Sequence, residues 1–209
     1  VSFLDLAKRE VHVKIVYYGP GRGGKTTNLL HIHEAMTDNV LGQMVSIDTK
    51  QDRTLFFDFL PLSLGKIFGF DIRIQLFTVP GQVMYNATRK LVLKGVDGVC
   101  FVADSQRTQR EKNIESLANM KENLAEMGLD IEATPLVLFY NKQDLAKAGV
   151  PLLSFEEMQQ DLNSVYNVPA FPGSALTGEG VFEALREISK FTVKKVARKL
   201  MPSLSPKRN

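Results

Sequence analysis

One stretch constrains this chain more than any other: GPGRGGKT, residues 19–26. It matches the pattern G-x-x-x-x-G-K-[ST]. The run VHVKIVYY (11–18) before it is rich in β-branched and aromatic residues and predicts a strand, and KTTNLLHIHEAM after it has helical spacing. A strand running through glycines into a helix brings successive backbone N–H groups together on one point, where side chains would obstruct them. The ligand such amides suit is a phosphate. Gly19, Gly21, Arg22, Gly23 and Gly24 form the predicted cradle, and Lys25 reaches the β- and γ-phosphates as a point charge. Thr26 offers a hydroxyl to magnesium, and with Thr27 it opens a helix whose dipole favours the anion.

The rest of the chain alternates strand and helix signals. DIRIQLF (71–77) alternates well and predicts a strand. Apolar MVSI (44–47) and TLFFDFL (54–60) bracket the polar stretch DTKQDR. LGKIFGF predicts a hairpin with two glycines in its turn. GVDGVCFVAD (95–104) and TPLVLFYN (134–141) are near-continuous apolar runs, as expected of strands buried on both faces. The long amphipathic helix QREKNIESLANMKENLAEMG between them ends at Gly128. Ser154 with Glu157 three residues on predicts a capping box, a short strand falls near VPAFPGS, and a last helix starts near Gly180. The fold class is therefore α/β: a P-loop domain with a mainly parallel six-stranded sheet, one antiparallel edge strand, and helices on both faces. The expected organisation is a single domain over residues 1–200 and a basic tail over 201–209.

Composition adds limits. The chain has 209 residues, 44% hydrophobic and 23% charged, ordinary for one soluble domain with a real core. A single cysteine, Cys100, lies in an apolar run, so no internal disulfide forms and a small buried side chain is expected. No apolar run reaches the length needed to span a membrane, and VSFLDLAKREV is too charged for a signal peptide, so a cytoplasmic protein is expected. The net charge of +3 is uneven: seven Lys and Arg and no acid lie from Lys190 onward, leaving −4 for residues 1–189. That basic end favours either a weak contact with an anionic surface or a solvated helix face matched to the helix dipole; no nucleic-acid partner is expected. The last residues given, PSLSPKRN, carry no cysteine, so no prenyl group is expected there.

A P-loop alone does not choose its nucleotide. NKQD (141–144) does, because it follows an apolar strand at the carboxyl end, where open α/β sheets bind ligands. Asp144 can accept hydrogen bonds from guanine N1–H and the exocyclic amine, a pair that adenine lacks. Asn141 can hold the purine edge and neighbouring loops, and the Lys142 stem can pack on the base. GSAL (173–176), with Ser174, Ala175 and Leu176, follows the next strand and can bring a backbone N–H to guanine O6.

Together the P-loop, NKQD, GSAL and a Gly-Gln turn in TVPGQ make the chain resemble the Ras-like small GTPase superfamily. Within it the chain is similar to the bacterial MglA family of polarity and gliding-motility GTPases. KIVYYGPG, RTLFFDFLPL, TVPGQ, RKLVLKGVDGVCFVADS and GVFEAL carry that likeness over residues 8 to about 195. Arg22-Gly23 departs from the apolar-then-small pair expected in the loop, and the basic end past Arg198 is longer than expected. The resemblance implies GTP or GDP and Mg²⁺ as ligands, and GTP hydrolysis as the activity. It implies Thr54 as the switch threonine on magnesium and γ-phosphate, and Gln82, after Gly81, as the residue orienting water. It implies Arg53 as an arginine finger within the chain, alongside Lys25 in the catalytic set. It further implies a roadblock-type (MglB-like) activating partner, polarity or motility effectors, and recruitment to a cell pole. Phosphoryl transfer needs positioning and charge neutralisation, which such groups supply.

Thr78 raises a question. The resemblance places an acid there, reaching magnesium through water. A hydroxyl can still hold one water of Mg²⁺, but some negative charge is lost. Asp58 shares a strand face with Thr54 by parity and either restores that charge or sits on a polar edge. The expectation is nucleotide binding with modest magnesium affinity and slow intrinsic hydrolysis. The alternatives are a GTP-bound scaffold that hydrolyses nothing and a small-molecule P-loop kinase; NKQD and the lack of an arginine-rich lid speak against the kinase. His31 and His33 point to different helix faces and make a poor metal pair. Pro80 either stiffens the second switch or is an ordinary turn proline.

Overall fold

The computed structural model describes residues 3–42, 44–47, 57–67, 69–82 and 85–200. In chain order the elements are β1 (Phe3–Asp5), β2 (Glu10–Tyr18), α1 (Lys25–Ala35), β3 (Val45–Ile47), β4 (Phe57–Ile67) and β5 (Phe70–Thr78). Then follow α2 (Asn86–Leu93), β6 (Gly98–Asp104), α3 (Arg110–Glu126), β7 (Leu136–Asn141), α4 (Phe155–Leu162), β8 (Ala170–Pro172) and α5 (Val181–Leu200). The sheet order is β3-β4-β5-β2-β6-β7-β8, with β1 antiparallel to β2. β5, β2, β6, β7 and β8 run parallel, and β4 is antiparallel to β5. This is the expected six-stranded frame, extended by two three-residue antiparallel strands, β1 and β3.

Side chains of each strand alternate between two layers. Val11, Val13, Ile15 and Tyr17 of β2 face a core closed by Leu29 and Ile32 of α1 and by Leu185, Ile188 and Val196 of α5. Val16 and Tyr18 face the other core, closed by Val92 and Leu93 of α2, Leu117, Met120 and Leu124 of α3, and Met158 and Leu162 of α4. β6 and β7 are buried along their whole lengths, as their unbroken apolar runs predicted, and Cys100 lies buried among them. The capping box at α4 is present: Ser154 Oγ accepts from the Glu157 N–H, and Glu157 accepts from the Ser154 N–H.

The β4–β5 hairpin departs from expectation in its length. The strand continues to Ile67, and Gly65 falls at a bulge between Ser63 and Lys66, so the chain turns only between Ile67 and Phe70. Among the described residues no helix is long and apolar enough to cross a membrane. The tail at 201–209 lies outside the described residues.

Chain direction diverges from β2 to β5 on one side and to β6 on the other. The crevice at the carboxyl ends of β2 and β6 is the place where such sheets bind ligands, and the loop at 19–24 opens there.

Candidate functional site

The loop after β2 is built to leave amides available. Gly24 is the N-cap of α1, with φ 97° and no side-chain cap, and no acid occupies the first helical turn. A Cβ at Gly24 would meet Asn141 Nδ2 at 2.1 Å, so only glycine fits that conformation and that contact. The orphan N–H groups of the helix start thus remain for an anion. Lys25 is buried, and its ammonium donates to Gly19 O at 3.0 Å and Pro20 O at 2.7 Å. Burial, aided by the positive charge of Arg89, pulls its pKa down to about 7, with Asp58 opposing. Arg22 takes a left-handed conformation (φ 61°) and lines a groove of about 930 Å³ with Pro80, Gly81 and Gln82.

Beside the cradle lies a corner of oxygen donors. Thr26 Oγ1 donates to Asp58 Oδ2 at 2.6 Å, and Thr78 Oγ1 donates to the same oxygen at 2.8 Å. The Asp58 N–H in turn donates to Thr78 Oγ1 at 2.9 Å. Asp58 and Thr78 are both buried. Asp58 therefore sits beside the helix-opening threonine and Thr78, which sequence parity alone left open. Two hydroxyls and a carboxylate, all hard oxygen donors next to a phosphate cradle, fit Mg²⁺, which prefers such ligands and keeps several waters. Among the described residues no cluster of three or more His, Cys, Asp or Glu gathers, and His31 packs instead against Phe182.

At the far end Asn141 is the knot. Its Nδ2 donates to Gly23 O at 2.8 Å and its Oδ1 accepts from the Ala175 N–H at 2.8 Å. One buried amide thereby joins the P-loop, the end of β7 and the loop after β8. Asn141→Ala leaves Gly23 O and the Ala175 N–H without partners. We expect a stability loss of about 2–4 kcal/mol, read from denaturant unfolding of the nucleotide-free protein. Lys142 has φ 73° and its ammonium reaches Asp104 Oδ2 at 2.6 Å, which lays its stem across the ends of β6 and β7. Asp104 is itself fixed, because Asn113 bonds its backbone N–H and C=O, and Gln106 donates to its carboxylate. Asp144 lies half-buried in the short helix Gln143–Ala148, with no hydrogen bond or ion pair among the described residues. Ser174 is buried and Leu176 exposed.

Gln82 is exposed, and a Cβ placed on Gly21 would lie 3.9 Å from its Cγ. A Cβ on Gly81 would meet Gly21 Cα at 2.3 Å, so the turn of Pro80, Gly81 and Gln82 lies directly on the P-loop. Arg53 and Thr54 lie outside the described residues. Sequence reading missed Asp104, Arg89 and Asn119. Asp104 ends an apolar strand, where an acid facing the ligand end is a signal; Arg89 falls on the buried side of α2 beside Val92 and Leu93, a place where a charge is unexpected.

A glycine cradle at a topological switch point, a neighbouring hydroxyl–carboxylate corner and an Asn-Lys-x-Asp strand end together define a P-loop G domain. The profile of the ADP-ribosylation factor family matches residues 2–192, and the chain belongs to that family of Ras-like small GTPases. It is 52% identical over 193 residues to the mutual gliding-motility protein MglA of Myxococcus xanthus, covering 92% of this chain and 96% of that protein, which places it in the MglA branch. It is 30% identical over 105 residues to intraflagellar transport protein 22 of Chlamydomonas reinhardtii, half of each chain. It is 25% identical over 186 residues to an uncharacterized protein of Methanocaldococcus jannaschii, covering 86% and 97% of the two.

Proposed function

We propose that this protein is a GTP/GDP switch of low turnover that acts in cell polarity or motility through effectors and a roadblock-type activating partner. The observation that carries the nucleotide reading is Asn141, which fastens the P-loop to the loop after β8 and so joins a phosphate end to a base end. Asp144, half-buried and without a partner among the described residues, supplies the carboxylate for guanine. The gliding-motility name of the Myxococcus relative supports the cellular role.

In this reading the cradle amides and Lys25 hold the phosphates, and Thr26 and Thr54 are the residues that would give hydroxyls to magnesium. The Asp58 carboxylate, joined to Thr26 and Thr78, supplies the negative charge that Thr78 lacks. Bound Mg²⁺ contributes charge neutralisation on the phosphate oxygens. Gln82 orients the water and Arg53 meets the charge on the transferred group. Binding of the γ-phosphate orders the loops around Thr54 and Gln82, and hydrolysis releases them. The basic end of α5, with Lys194, Arg198 and Lys199, makes a weak contact with an anionic surface at a cell pole.

The test uses the purified protein in magnesium buffer. GTP is expected to displace a fluorescent guanine nucleotide, and ATP is not; equal competition by ATP would overturn the assignment. Phosphate release is expected to be slow alone and faster with a roadblock-type activator. Gln82→Leu and Arg53→Ala are each expected to lower stimulated hydrolysis by about tenfold or more while GTP affinity stays nearly intact. Normal turnover by both variants would remove the assigned roles.

A further inference from the structure

Arg89 is 3% exposed, and its guanidinium is directed at the second switch and α3, beside the Tyr18 hydroxyl at the end of β2. Its Nε donates to Pro80 O at 3.0 Å and its Nη2 to Gln82 O at 2.5 Å. Its Nη1 donates to Asn119 Oδ1 at 2.5 Å. Among the described residues no carboxylate pairs with it. A buried guanidinium held only by neutral oxygens is costly, and an apolar side chain would fill the same space at lower cost.

The two main-chain acceptors lie on either side of Gly81. In a trans peptide the C=O and the following N–H point in opposite directions. With Pro80 O turned toward Arg89, the Gly81 N–H faces away from it. Gly81 itself packs on Gly21 of the P-loop. The second acceptor, Gln82 O, fixes the next peptide and so the base of the Gln82 side chain, whose Cγ lies near Gly21.

Asn119 makes this grip rigid. Its Oδ1 also accepts from Tyr18 Oη at 2.6 Å and from Asn123 Nδ2 at 3.1 Å, and its Nδ2 donates to Asn86 Oδ1 at 3.2 Å. The guanidinium is thus anchored to α3, to the end of β2 and to the start of its own helix.

The geometry points to Arg89 as a positioning residue of the second switch: by gripping the carbonyls on both sides of Gly81 it sets the Gly81 N–H and Gln82 against the P-loop, and Asn119 ties that grip to α3. The inference rests on the proposed nucleotide reading and concerns only the step after nucleotide has bound. Arg89 touches Pro80 and Gln82, not the base end around Asn141 and Asp144, and a lysine in its place keeps the charge that acts on Lys25, so GDP binding is separable from the grip itself.

The experiment measures single-turnover hydrolysis of preloaded GTP at saturating magnesium, with GDP affinity and melting temperature measured in parallel. Arg89→Lys keeps the charge and loses the fork. Its hydrolysis constant is expected to fall about tenfold or more, while GDP affinity stays within about twofold of wild type. Asn119→Ala is expected to give a smaller fall, and its effect adds little on top of Arg89→Lys because both act through one contact. If Arg89→Lys does not fold, Asn119→Ala alone decides. Wild-type hydrolysis by the variants, or a parallel loss of GDP affinity and hydrolysis, overturns the assignment. A wild-type protein that binds no guanine nucleotide overturns the nucleotide reading, and this assignment with it.

Discussion

Lys25→Met is expected to weaken GTP and GDP binding by two orders of magnitude or more while leaving the empty protein as stable as wild type or more so. Among the described residues the buried ammonium is met by the carbonyls of Gly19 and Pro20 and by no carboxylate. Burial and the Arg89 charge hold its pKa down to about 7, so the folded protein gains nothing from the charge. Methionine keeps the stem and removes the desolvation cost. With phosphate present the balance reverses. Losing one partner of a buried charge pair costs about 3–5 kcal/mol, which is roughly two to three and a half decades in affinity. Equilibrium titration with fluorescent GDP, beside thermal unfolding of the empty protein, checks both halves. A variant that binds normally, or one that loses binding only because it unfolds, contradicts this role for Lys25. A pH dependence follows from the same cause. Phosphate favours the charged form and raises the pKa, so binding takes up a proton above about pH 7 and affinity falls as pH rises. Calorimetry in buffers of different ionisation enthalpy reads that uptake.

The parts of this site that were legible in the sequence are those whose chemistry depends on spacing along the chain. Gly24 and Lys25 are adjacent to the strand and helix that place them, and Asn141 ends its own strand, so local pattern sufficed. The strand frame was legible for the same reason, since β6 and β7 are buried on both faces and show it as unbroken apolar runs. The length of β4 was not, because Gly65 reads as a turn residue and only the pairing with β5 turns it into a bulge. Asp58 was half legible. Parity gave its face, but its partners come from α1 and β5, and the register that sets Phe59 opposite Phe77 is tertiary. Arg89 was only half legible: its place on the apolar side of α2 beside Val92 and Leu93 marks it, but nothing local says what it holds. Its three acceptors lie 7, 9 and 30 positions away, and no local rule brings them together.

Asp58→Asn is expected to raise the magnesium concentration needed for half-maximal nucleotide retention about tenfold, while GDP binding in chelator stays close to wild type. The substitution keeps size and shape, so Thr26 and Thr78 retain an oxygen acceptor. What goes is the negative charge beside the helix-opening hydroxyl. A charge-assisted bond is worth about 1.5–3 kcal/mol against about 1 for a neutral one, and that difference sets the size of the shift. Thr78→Asp supplies the discriminating comparison. Alone, it sets a second carboxylate against the oxygen that Thr78 now contacts at 2.8 Å, so like charges repel and one carboxyl stays protonated to higher pH. The single variant is then expected to be less stable than wild type without binding magnesium more tightly. In the Asp58→Asn background the same change restores one carboxylate to the corner, and magnesium dependence is expected to return toward wild type. Thr78→Asp harming the parent and repairing the Asp58→Asn variant is the pattern of a single shared charge. Equal effects of Thr78→Asp in both backgrounds would mean that Asp58 and Thr78 do not serve one site, and that the threonine is compensated by some other group.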